Sequence, residues 1–215
     1  MGLSNRVLLR GGLIAGPLFI GSVLVQGHTR ADYSPLRHPV SSLSLGPDGW
    51  LQSASFAVTG GLSLGFVIGL SRTLGRHIRT RLGPVLLGAA AVGIFGAGIF
   101  PTDPVSGYPP GTPNVPAGTT FLGALHEMLA APAFLCVPAA ELVFARAFLE
   151  HQEQGWAAYS AASAFGMLTT CVLASVGFRQ RPGLVEIAGA LQRTSIAIGF
   201  TWMTSLAARA LAVAD

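Results

Sequence analysis

His28, Asp32 and His38 fall close together near the start of the chain, and Asp103, His126 and Glu127 follow farther on. Imidazoles and carboxylates move protons near neutral pH and ligate divalent cations. Arg193 is a fixed positive charge of the kind that holds a carboxylate or phosphate. Three chemistries can use this set. The first is metal binding: His28, Asp32, His38, Asp103 and His126 are the ligand types of zinc or another divalent ion. His28 and Asp32 are four apart and share a face if that stretch is helical. No HExxH or CxxC motif accompanies them. The second is hydrolysis, with Asp103 or Glu127 as base, His126 as its partner, Arg193 stabilising a developing oxyanion and Ser41 beside His38 as nucleophile. The third is recognition without bond-breaking, in which His38, Asp103, His126 and Arg193 hold a polar headgroup. Arg193 has an alternative use, as the ion-pair partner of Asp103 or Glu127 between helices.

What must position these groups is an unusually apolar chain. Apolar residues make up 51% of it and charged residues 10%, against about 25% charged in a typical soluble domain. The apolar residues come in blocks near the ~20 residues that cross a ~30 Å hydrocarbon core. The sequence therefore predicts an all-α polytopic membrane bundle, residues 1–215 forming a single transmembrane domain. Six spans are predicted: 7–26, 51–74, 83–100, 121–148, 157–178 and 190–212. The first has arginines before it but no small-residue cleavage site after it, so it reads as a retained helix and not a signal peptide. The residues Met1 to Arg6 also lack a myristoylation signal. Both cysteines, Cys136 and Cys171, fall inside spans, so no disulfide framework is expected.

The net charge of +4 comes from arginine alone, with no lysine in the chain. Because the arginines flank the apolar blocks, they read as topology signals and not as a nucleic-acid surface. With both termini cytoplasmic, eight arginines lie inside and five outside, and the cluster Arg72, Arg76, Arg79, Arg81 sits in a short inner loop. The expected location is the cell membrane. The two long loops, 28–50 and 103–120, then face outward, and the candidate residues gather at the outer face. Glu141, deep in the fourth span, reads as paired or reaching the inner interface. Small residues recur every four positions at Gly12 and Gly16, at Gly61, Gly65 and Gly69, and at Ala89, Gly93 and Ala97. Such seams let helices approach closely, within the chain, in a homo-oligomer or against other membrane proteins. Membrane lipids are the expected small partners.

Four stretches carry a family likeness: "LRHPVSSLSLG" (36–46), "GIFPTDP" (98–104), "LHE" (125–127) and "GALQRTSIAIGFTW" (189–202). With them the chain resembles a family of bacterial six-helix membrane proteins known as domain of unknown function 998. The resemblance implies the six-helix fold and the membrane location, and it gives weight to His38, Ser41, Asp103, His126 and Arg193. It implies no activity and no metal. The leading expectation is an outward-facing polar site that binds a lipid headgroup or similar amphiphile. The alternatives are a membrane-embedded hydrolase dependent on a metal or a His–Asp pair, and a helix-packing scaffold for other membrane proteins.

Overall fold

The computed structural model describes residues 4–74, 80–115 and 118–214. Arg76 and Arg79, two of the arginines that indicated topology, lie outside the described residues. The fold is all-helical, with no strand among the described residues. Six helices follow in order: α1 (Asn5–Thr29), α2 (Gly49–Leu74), α3 (Leu82–Ala97), α4 (Phe121–Glu150), α5 (Gln154–Phe178) and α6 (Ala188–Ala212). Four of them, α1, α2, α4 and α5, are long and apolar enough to cross a membrane. α3, with 16 residues, spans only about 24 Å at 1.5 Å per residue. The predicted third span ran to Phe100, where Pro101 would stop it. The helix ends three residues sooner, because Gly98 and Ile99 close a tight turn onto Phe95 and Gly96.

Each helix packs on its neighbours in sequence, and α6 closes back onto α1, so the six form a ring. The segments 30–48, 98–120 and 179–187 all lie at one end, here called the long-loop end. Glycines set the spacing where helices cross. A Cβ on Gly12 would lie 2.6 Å from the Phe66 ring and 2.7 Å from Ala207, and one on Gly69 would lie 3.0 Å from the Leu9 nitrogen. These seams thus join α1 to α2 and α6. Gly61 faces no neighbour within 4 Å. The ring interior away from the long-loop end is filled by Phe66, Phe144, Phe148, Trp202 and Leu206, all fully buried.

Two features of this interior are polar. On α2, Gln52, Ser55, Thr59 and Ser63 recur at helical spacing and are all buried. Exposed or half-buried hydroxyls in these helices, such as Ser71, Thr170 and Ser175, donate to the carbonyl four residues back. Ser55, Thr59 and Ser63 do not, and their oxygens have no partner. The stripe's one interhelical bond is Gln26 Nε2 of α1 donating to Gln52 Oε1 at 2.8 Å. The second feature is Glu141. Among the described residues the expected pairing or escape to the interface is not found: the side chain is fully buried and neither carboxyl oxygen has a partner there. It lies one turn before Phe144 on the inward face of α4.

Candidate functional site

α1 ends at Thr29, and the chain turns through Asp32 in a left-handed conformation with φ of 58°. His28 and Asp32 therefore do not share a helical face, and both are exposed. The next residues fold into an aromatic cluster. Tyr33, His38 and Tyr108 meet with ring centroids 5.2 to 5.4 Å apart, bringing the 30–48 and 98–120 segments together. His38 Nδ1 accepts from the Ser34 amide at 2.9 Å, which requires that nitrogen to be unprotonated. Burial lowers the His38 pKa, helped by Arg37 and Arg193, while a hydrogen bond to the Ser106 backbone and the charge of Glu186 pull the other way. Burial also raises the Tyr33 phenol, against the nearby Arg193 charge. Tyr33 accordingly keeps its proton and donates to the Pro39 carbonyl at 2.9 Å.

Arg193, one turn into α6, reaches into this cluster. Its Nη1 donates to the carbonyls of Pro35, His38 and Gly189 at 2.7, 3.0 and 3.0 Å, and its Nη2 donates to the Tyr33 hydroxyl. The guanidinium carbon also stands 5.5 Å from the Tyr33 ring centre. Gln192 beside it accepts from the Val40 amide at 2.8 Å. Arg37 bridges to Glu186 at 2.6 Å and to Asn114 at 3.2 Å. The start of α6 thus holds the 30–48 segment in place mainly through main-chain carbonyls.

Asp103 and His126 sit at the junction of α3 and α4, each with its own partner. Asp103 accepts from the Thr120 amide at 2.9 Å and its hydroxyl at 2.7 Å. Thr120 is the cap of α4 and accepts in turn from the Gly123 amide at 3.0 Å. A carboxylate is favoured there because the helix N-terminus carries partial positive charge. Any side chain at Gly123 would collide with that carboxylate. One turn deeper, His126 is 1% exposed. Its Nδ1 lies 2.9 Å from the Phe100 carbonyl, which can only accept, so Nδ1 carries the proton. That bond satisfies a carbonyl freed where α3 stops early. Among the described residues, no hydrogen bond or ion pair joins Asp103, His126 and Arg193. Nor does any group of three or more His, Cys, Asp or Glu converge as a metal site would require.

What the residues do assemble is a cavity of about 340 Å³ inside the ring, beneath the Val40–Ser44 turn. All six helices contribute to its wall, among them Phe19, Phe56, Ile94, Phe134, Met167 and Phe200. Its polar lining is sparse and lies toward the long-loop end: Ser41, His126, Glu127, Ser175 and Gln192. Glu127, Leu135 and Ser175 on this wall are exposed, so the cavity opens between α4 and α5. His126 and Glu127 therefore belong to a largely apolar chamber, whereas Arg193 and His38 belong to the loop cluster above it. The chamber had no sequence signal, because its wall is assembled from all six helices, mostly from apolar residues that look like any other core positions.

A family model matches residues 13–209, nearly the whole chain; its description is "Protein of unknown function (DUF998)". The chain belongs to the DUF998 family. No curated protein and no solved structure matches it. In this DUF998 protein the stretch 98–104 ends α3, presents the Phe100 carbonyl to His126 and carries the Asp103 carboxylate to the first turn of α4.

Proposed function

We propose that this protein is a six-span protein of the cell membrane with both termini cytoplasmic, and that its cavity binds an amphiphile taken from the outer leaflet. The observation that carries this reading is the cavity itself. Its volume, about 340 Å³, lies within the ~300–1,000 Å³ of small-molecule sites, which are mostly apolar with a few placed polar groups. The polar groups stand at the long-loop end, and the apolar wall runs inward from them. The mouth between α4 and α5 faces where lipid would lie. Arg72 in the last turn of α2 and Arg81 just before α3 support reading the opposite end as cytoplasmic. A head would rest near His126 and Glu127, with the tail along Phe134, Met167 and Phe200. Arg193 supports the roof of the chamber by holding the 30–48 segment.

The test is to extract the protein into lipid nanodiscs, wash it and identify co-purifying lipids by mass spectrometry. The protein should retain a selected amphiphile at a fixed stoichiometry. Ala131→Phe, which adds a ring to the cavity wall, should release it without unfolding the bundle. A lipid profile matching the bulk membrane and indifferent to Ala131→Phe would refute the proposal.

A further inference from the structure

The chemistry of the chamber's polar end narrows the ligand, given the amphiphile reading above. His126 is the buried polar side chain there, and its Nδ1–H is spent on the Phe100 carbonyl. In the neutral ring the remaining nitrogen, Nε2, is then a lone-pair acceptor. No partner for it exists among the described residues, although the ring lines the cavity. Glu127, the next residue, brings a carboxylate, which also only accepts when ionised. Gln192 Oε1 faces the Val40 amide. No arginine lines this chamber: Arg193 lines a separate groove between α1 and α6, with its Nη1 shared among three carbonyls.

From this arrangement we infer that the chamber takes an amphiphile whose head donates hydrogen bonds, a hydroxyl or ammonium, and rejects one whose head is a phosphate or carboxylate. A donor head completes the unpartnered His126 nitrogen and, if cationic, is attracted by Glu127. An anionic head would meet the Glu127 charge with no cation beside it among the described residues, the Gln192 amide NH2 and the Ser41 hydroxyl being the donors on that side, and it would leave the His126 nitrogen unpaired; buried polar groups left unpaired discriminate strongly between ligands. The two donor sources, alcohol and amine, separate by charge: Glu127 favours the amine, whereas His126 serves both.

The experiment uses the full chain in nanodiscs and a chain-matched series: dodecanol, dodecylamine, dodecyl phosphate and dodecanoate, with binding read by native mass spectrometry. The alcohol and amine should bind saturably and at least tenfold more tightly than the two anionic probes. Glu127→Gln should weaken the amine about tenfold and leave the alcohol unchanged. His126→Phe should weaken both, and His126→Asn, which keeps polar groups at this position, should show whether any loss is only structural. Should His126→Phe fail to fold, the Glu127→Gln comparison and the series on the unaltered protein decide alone. Tighter binding of the phosphate or carboxylate probe, still blocked by Ala131→Phe, would overturn the donor-head inference while the amphiphile reading stood. Binding of no probe in a saturable, Ala131→Phe-sensitive way would remove both.

Discussion

Removing the Arg193 side chain should loosen the roof of the chamber, and the structure gives the size of the effect. Arg193→Ala deletes three hydrogen bonds to carbonyls, one to a hydroxyl and a cation–π contact with Tyr33. Nη1 has two hydrogens for its three carbonyls, so two charge-assisted bonds at about 1.5 kcal/mol each, plus about 0.5–1 kcal/mol for the Tyr33 contact, give roughly 3.5–4 kcal/mol. Water entering this half-buried site replaces part of that, leaving a net loss of about 2–3 kcal/mol. For a chain of this size such a loss lowers Tm by roughly 5–10 °C. Arg193→Lys keeps the charge but not the planar fork, and should recover less than half of the loss. The assay is thermal unfolding in detergent, followed by circular dichroism. Tyr33→Phe, alone and combined with Arg193→Ala, completes a double-mutant cycle whose coupling should be about 1 kcal/mol. An unchanged Tm in Arg193→Ala, with loss of a bound anionic lipid, would refute the reasoning and make Arg193 a headgroup clamp.

Three further outcomes are expected. Asp103→Ala should destabilise by about 1–2 kcal/mol through loss of the Thr120 bonds and of charge at the α4 N-terminus, and Gly123→Ala should also destabilise by colliding with that carboxylate; both are checked by thermal melts. His38 has a folded pKa below its ordinary 6.5, so the unfolded chain binds more protons just below that value. Its contribution is therefore complete above about pH 6.5 and is lost as pH falls toward the folded pKa; Tm measured from pH 8 to pH 5 should fall, and His38→Phe should flatten that dependence. Replacing Glu141, a buried carboxyl with no partner, by Met should raise stability by about 1–3 kcal/mol, and a lower Tm in that variant would show that the carboxyl has a partner in the membrane.

The helices were legible because hydropathy in long blocks needs no tertiary information. The fourth predicted span, 121–148, differs from α4 only by two residues at its C-terminal end, where Leu149 and Glu150 continue past the apolar block. Boundaries slipped where side-chain and turn chemistry ruled. The turn at Gly98 ended α3 before Pro101 could, and α5 starts three residues before the predicted span. The gathering of polar residues at one end followed from counting helices. Their partners did not. Nothing in the sequence marks Thr120 as the partner of Asp103 or Tyr33 as that of Arg193, because such pairs form only once distant segments are packed. The α2 stripe did leave a signal, Gln52, Ser55, Thr59 and Ser63 at three- and four-residue spacing, and attention to the glycines alone passed over it.

That stripe bears on how the chain reaches the bilayer. Alone in hydrocarbon, α2 would show lipid a glutamine and three hydroxyls along one face. In the complete ring it shows lipid none of them, and Gln26 of α1 is bonded to Gln52. An interhelical bond of this kind is worth about 0.6–2 kcal/mol in lipid, a gain open only to the pair. The expectation is that α1 and α2 enter the membrane together as a hairpin. Expressing α2 without α1 should leave α2 stranded at the interface.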